Sequence, residues 1–255
     1  MGIDMTKIRA KYTALKSRGN GNSSQFWRPD DGSETTIRIV PTSDGDPFKE
    51  FFFHYNVGKA SGFLCPKRNF GDTCKVCEFV SQLFDDGAED SIKMAKSLTA
   101  RQRFFSPVLV RDEEDQGVRI WGYGKTAYET LLSLVLNPDY GDITDVDNGT
   151  DLTINYGRPP GAAFPHTKIQ PRRHNSALSS TPEKTTDFLE NIPDVTTLFE
   201  RKSVEEVGTI LDEFLSSDED AETSSKETTQ YSSGPQASGA KTTSVDAAFN
   251  ELLNN

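Results

Sequence analysis

Six short stretches of the chain read as strands, the first of them by clear alternation of apolar and polar positions. They are Thr35–Val40, with Ile37 and Ile39 on one face, then Phe48–Tyr55, Phe104–Arg111, Val118–Tyr123, Thr150–Tyr156 and Thr167–Gln170. Pro41 ends the first, Gly124 breaks the fourth, and the acidic Asp112–Gly117 reads as the hairpin turn between the third and fourth. Helical spacing is sparser. Val76, Phe79, Val80 and Leu83 predict a short helix stopped by Gly87, and Ala127, Leu131, Leu134 and Val135 predict another over Thr126–Leu136. Ser203 with Glu206 three residues on is a capping box, opening a helix through about Leu215. Residues 92–103 read as mixed and basic, and 175–202 as polar with Pro182 and Pro193. The elements add up to a mainly β, α+β chain.

The two ends have a different character. Residues 1–20 hold five bases against Asp4 alone, and Ile8, Tyr12 and Leu15 fall at helical spacing over Thr6–Lys16 before Gly19–Ser24 interrupts. This reads as a basic arm on a flexible joint, with an ordinary solvated surface helix as the alternative. At the other end, residues 216–243 are rich in Ser, Thr, Glu and Gly and have almost no apolar side chains, a composition that stays disordered. Val245, Phe249, Leu252 and Leu253 then gather on one helical face, as a docking peptide on an acidic tether or as a frayed terminus. The net charge of −11 argues against a nucleic-acid partner until it is located: nine acids and two lysines put −7 on residues 212–255. The expected organisation is a basic arm at 1–22, a core at 23–211 and an acidic tail at 212–255.

All three cysteines fall in one stretch, His54-x10-Cys65-x8-Cys74-x2-Cys77. Three thiols and one imidazole at this spacing are the ligand set of a closed, tetrahedral, structural zinc site. An odd cysteine count disfavours a disulfide framework, and a redox CxxC has no use for Cys65 or His54. A catalytic deaminase zinc needs His-x-Glu before Pro-Cys-x-x-Cys, whereas Tyr55-Asn56 follows His54 and Thr73 precedes Cys74. The expectation is one structural Zn2+, in a subdomain at about residues 54–84.

A second signal is the interleaving of cations and aromatic rings. Arg101, Arg103, Phe104 and Phe105 open one strand; Arg119, Trp121, Tyr123 and Lys125 lie along its partner; Lys67, Arg68 and Phe70 sit in the metal loop. Single-stranded nucleic acid calls for this combination, cations following the phosphates while rings stack on bases. In an alternating strand half of the rings face a core, so Trp121 and one of Phe104 and Phe105 are as well placed for packing as for stacking. No phosphate-cradling glycine loop, GxSxG or HExxH motif is present. The lone His166 and His174 read as surface residues, and the chain is not expected to be an enzyme. No apolar run approaches the roughly 18 residues of a membrane span, and reduced cysteines at a metal site fit a cytosolic compartment.

From about Trp27 to Tyr156 the order of features resembles the single-stranded-DNA-binding, helix-destabilising proteins of T-even-like bacteriophages. His54, Cys65, Cys74 and Cys77 stand where that family has its zinc ligands; Arg101–Arg111 is similar to its basic-then-aromatic strand; and Val118–Lys125 is similar to the returning strand. Phe249–Asn254 resembles the family's acidic, leucine-bearing tip, while Pro171-Arg172-Arg173-His174 stands where the family has a further aromatic cluster. The resemblance implies an OB-fold-like core with an inserted zinc-binding subdomain and cooperative, sequence-independent binding of single-stranded DNA in phage replication, recombination and repair. It further implies cooperative contact between neighbouring protomers through the arm, recruitment of replication and recombination proteins by the tail, and work in the cytoplasm of the infected cell. An RNA-binding translational regulator and a zinc-stapled docking adaptor are the competing readings.

Overall fold

A computed structural model describes residues 25–59 and 62–224. The basic arm and the apolar tip of the tail lie outside the described residues. In chain order the strands are β1 (Phe26–Trp27), β2 (Ser33–Ile39), β3 (Lys49–His54), β4 (Phe63–Leu64), β5 (Arg101–Val110), β6 (Arg119–Tyr123), β7 (Gly149–Gly157) and β8 (His166–Ser176). The helices are α1 (Pro66–Phe70), α2 (Lys75–Asp86), α3 (Glu89–Leu98), α4 (Lys125–Val135), α5 (Pro182–Glu190) and α6 (Val204–Ser224). This is the mainly β, α+β composition that the alternation predicts. The described residues form two compact units: those up to Glu50 with Arg103–Leu198, and those of Phe51–Gln102 with those from Phe199 to Ser224.

In the first unit the strand order is β1-β6-β5-β2-β7-β8. Only β1 runs parallel to its neighbour, so the sheet is mixed. Ile37 faces Val110 and Ile39 faces Val108 across the β2–β5 ladder. These four close with Trp121, Leu152 and Ile154 on Ala127 and Leu131 of α4, forming one core. Leu109 points the other way and packs with Val40, Val118, Leu178 and Phe188 of α5. A strand covered on both faces has no polar side to show, which is why β5 reads as a nearly unbroken apolar run.

Several elements differ from the sequence reading. Residues 89–98 form helix α3, whose buried face is Ser91, Ala95 and Leu98; two small side chains and one leucine leave almost no hydrophobic period to detect. α5 opens at Thr181, whose side chain accepts from the Lys184 N–H, and buries Phe188 alone. The acidic hairpin turn is a short 3-10 helix over Arg111–Gln116. β8 continues to Ser176 rather than stopping at Gln170, pairing with β7 across an irregularity between Thr150 and Leu152. As an edge strand it carries exposed Arg172, Arg173 and His174, so its pattern looks like a loop. α6 runs to Ser224 rather than Leu215, because neither Gly nor Pro interrupts the chain there.

A buried charge cluster fastens the far side of this sheet. Arg38 is fully buried; its Nε donates to Asp151 Oδ1 (2.9 Å) and its Nη2 to the Gly149 and Ser176 carbonyls (3.0 and 2.9 Å). Arg111 donates to the same carboxylate from Nη2 (2.9 Å) and to the Leu178 carbonyl from Nη1 (2.7 Å). Burial works against the Arg38 charge and lowers its pKa, an effect Asp151 opposes. Residue 149 has no room for a side chain, since a Cβ there would lie 2.4 Å from the Asp145 carbonyl and 2.6 Å from Arg38 Nη1. Replacing Asp151 by Ala strands two guanidinium groups in a buried setting, and chemical denaturation is expected to show a loss of about 3–5 kcal/mol.

Candidate metal centre and nucleic-acid interface

The second unit is built around four side chains delivered by different elements. The β3–β4 pair places His54 opposite Phe63. Cys65 follows as the N-cap of α1, Cys74 is the N-cap of α2, and Cys77 lies in the first turn of α2. Their ligand atoms all fall within 4.8 Å of one another. His54 Nε2 is 3.4 Å from the sulfurs of both Cys74 and Cys77, and the Cys65 and Cys77 sulfurs are 3.5 Å apart. Bonds of about 2.0–2.3 Å to a tetrahedral ion imply ligand–ligand edges of about 3.5–3.8 Å, so the cluster could hold one metal ion and leave no coordination position open.

The surroundings prepare these groups for a cation. His54 Nδ1 lies 2.8 Å from the Leu98 carbonyl, which can only accept, so Nδ1 carries the proton and Nε2 is left as the ligand. The Arg68 backbone N–H donates to the Cys65 sulfur (3.4 Å). Burial opposes charging of the His54 ring, but hydrogen bonds to Cys65 and Cys74 outweigh it and push its pKa up to about 9, so a bound cation takes the place of a proton at Nε2. Hydrogen bonds from Cys74 and Cys77 favour a thiolate at Cys65, while the same sulfurs push Cys77 strongly upward. Three adjoining sulfurs therefore resist ionising together, and a bound cation removes that resistance.

Asn69, which carries no sequence signal, clamps the loop. Its Nδ2 donates to the Phe52 and Cys65 carbonyls (2.7 and 2.8 Å) and its Oδ1 accepts from the Phe52 N–H (2.9 Å). Cys65 and Cys74 also belong to an apolar core with Phe79 and Leu83 of α2, Ala95 and Leu98 of α3, and Val207 and Leu211 of α6. A helix more than a hundred residues downstream thus packs on the metal loop.

The aromatic and basic residues separate into two groups. Phe104, Trp121 and Tyr123 are buried in the first unit's core. Phe104 stacks on Tyr128 at 3.8 Å, Trp121 meets Trp27 edge-on at 5.9 Å, and the Tyr123 hydroxyl bonds Ser106 Oγ at 2.7 Å. Burial pushes the Tyr123 phenol well above its ordinary pKa. In this conformation none of the three presents a free ring face, because alternation turns them toward α4. Arg119 is also buried, donating to Glu113 (2.6 Å) and Gln116 (3.0 Å), and so serves the turn before it rather than a ligand. Phe105 occupies the opposite sheet face from Phe104 but is buried too, lying over Gly122, where a Cβ would come within 2.9 Å of its ring, so it offers no open face for stacking either. Arg103 shares that face, with Nη1 3.5 Å from the Cβ position of Gly124.

Lys67, Arg68, Phe70, Arg101 and Lys125 are exposed. The Arg68 guanidinium lies 5.4 Å from the Phe52 ring, and Lys125 pairs with Glu129 at 3.6 Å. His166 and His174 are exposed on β8, apart from the metal cluster. Among the described residues no helix is long and apolar enough to cross a membrane.

A family model described as "gp32 DNA binding protein like" matches residues 31–215, a span that includes all four clustered ligands. This agrees with the resemblance drawn from the ligand spacing and the two strands. No curated protein matches the sequence.

Two outcomes follow from this geometry. Purified protein is expected to carry about one equivalent of metal by elemental analysis, and Cys74→Ser to lose it and melt earlier, since the buried cluster then lacks its cation. Trp121→Ala is expected to cost about 3–5 kcal/mol in unfolding free energy as a core truncation, whereas the exposed Phe70→Ala should change stability by less than about 1 kcal/mol.

Proposed function

We propose that this chain, which belongs to the gp32 DNA-binding-protein-like family, coats single-stranded DNA cooperatively and without regard to sequence. The observation that carries this reading is the family match over a chain whose exposed cations Lys67 and Arg68 share a short helix with the exposed ring of Phe70. Cations follow the phosphates, and a base stacked on a ring contributes about 1–3 kcal/mol whatever its identity. Lys67, Arg68, Phe70 and Arg101 are the contacts assigned to the second unit, and Arg103 and Lys125 those assigned to the first. The buried Phe104, Trp121 and Tyr123 belong to the core of the first unit, whose sheet is OB-like in this reading.

The metal in this reading is zinc. Three thiolates and one imidazole in a tetrahedron are the soft, closed donor set that structural zinc takes. Bound there, the ion supplies fixed positive charge and a cross-link, while the chain's own residues do the binding. The basic arm at 1–22 docks on the neighbouring protomer, and the acidic tail at 212–255 competes with DNA for the cations and recruits replication and recombination proteins. The setting is phage replication, recombination and repair in the cytoplasm of the infected cell, and the protein is a binder rather than a catalyst.

Fluorescence anisotropy with labelled dT oligonucleotides and matched RNA, titrated across a range of salt, tests the reading. Tight DNA binding that falls linearly in log–log with salt is expected, with Lys67→Ala and Arg101→Ala each reducing the slope by about one. Equal or tighter RNA binding would favour the translational regulator, and no salt-dependent binding would leave the adaptor.

A further inference from the structure

Phe70 ends α1, and the left-handed turn at Gly71 (φ +78) brings Asp72 directly after it. The Asp72 N–H donates to the Pro66 carbonyl (3.3 Å), fixing that residue to the helix it follows. Arg201 reaches the same turn from 129 residues away in sequence. Its guanidinium lies 4.4 Å from the centroid of the Phe70 ring and is ion-paired with the Asp72 carboxylate.

The segment carrying Arg201 is held on both sides. Phe199 packs edge-on against Phe51 (5.6 Å) and Phe53 (4.9 Å). Ser203 caps α6, its N–H donating to Glu206 Oε2 (2.6 Å) and its Oγ accepting from the Glu206 N–H (3.2 Å). The fold thus delivers Arg201 to Phe70. The contact nevertheless stays at the surface, with the Arg201 side chain 58% and Phe70 39% exposed. Arg68 over Phe52 repeats the arrangement on the same unit.

We propose that Arg201 and Phe70 form a latched nucleotide platform, with Asp72 holding the guanidinium over the ring until single-stranded DNA displaces it. The incoming phosphate replaces the Asp72 carboxylate as the acceptor for the guanidinium fork, since both anions take paired N–H bonds. A base then occupies the ring face that the guanidinium leaves. An exposed ion pair and an exposed cation–π contact are each weak, so the latch yields to a ligand that satisfies both partners at once. This rests on the reading of the chain as a single-stranded DNA binder and adds Arg201 and Asp72 to that site.

The test uses the full-length, metal-loaded protein and a fluorescein-labelled dT oligonucleotide at several salt concentrations. Asp72→Asn is expected to raise affinity about two- to fivefold by freeing the guanidinium. Arg201→Ala is expected to lower affinity and reduce the salt slope by about one. The double variant should match Arg201→Ala alone, because Asp72 acts only through Arg201, and Asp85→Asn, an exposed acid elsewhere on the unit, should leave affinity unchanged. Wild-type binding with no gain in Asp72→Asn, or a gain that persists in the Arg201→Ala background, overturns the latch while the DNA reading stands. Absence of wild-type binding overturns the DNA reading itself.

Discussion

Three cysteine sulfurs packed against one imidazole cannot all carry their charge in a buried cluster unless a cation sits among them. The second unit is arranged to meet that condition. β3 brings His54, the turn into α1 brings Cys65, and the start of α2 brings Cys74 and Cys77. α3 packs Ala95 and Leu98 against the cluster and contributes the Leu98 carbonyl, which fixes the nitrogen of His54 that faces the sulfurs. α6 packs on the apolar shell around Cys65 and Cys74. The apolar shell around the cluster thus joins two pieces of chain distant in sequence, and Phe199, packed on Phe51 and Phe53, brings Arg201 beside Phe70.

The first unit solves a related problem without a metal. Asp151 lies between Arg38 and Arg111, and carbonyl groups from residues 145, 149, 176, 177 and 178 take up the remaining guanidinium N–H groups. Buried charge of this kind does little for net stability but penalises any arrangement that leaves a member unpaired. It ties β2, β5 and β7 to the end of β8, whose exposed face supplies few apolar contacts. In both units buried polar groups set the register, and the hydrophobic clusters supply the bulk of the burial.

The aromatic residues divide according to the same logic. Phe104 and Phe105 are neighbours on one strand, so they must face opposite ways. Phe104 goes to the side covered by α4, and Phe105 to the side where Gly122 leaves room for its ring. Trp121 and Tyr123 lie two apart on β6 and follow Phe104 inward. The cations have no such choice, because burying Lys67, Arg68 or Lys125 would require partners that the core does not offer. Arg119 is buried because the acidic turn provides its partner Glu113, as Asp151 does for Arg38.

The sequence by itself determined the strands with clear alternation, the α2 and α4 helices and the capping box of α6, because each depends on residues within a few positions of one another. It also picked out the four side chains that the fold gathers into a cluster able to hold a metal ion, since a spacing of cysteines and a histidine can be read without knowing the fold. It left undecided which face of β5 and β6 is covered, because alternation distinguishes two faces but does not say where α4 packs. Helices α3 and α5 escaped notice because Ala95 and Ser91, or Phe188 alone, make too weak a period, and the continuation of β8 from Pro171 to Ser176 did because an edge strand can be polar on both sides. The roles of Asn69, Arg38, Arg111 and Arg201 belong wholly to the tertiary structure. Each acts on a partner that is distant in sequence or on backbone carbonyls, which carry no sequence signature, and only folding brings those groups within hydrogen-bonding or stacking distance.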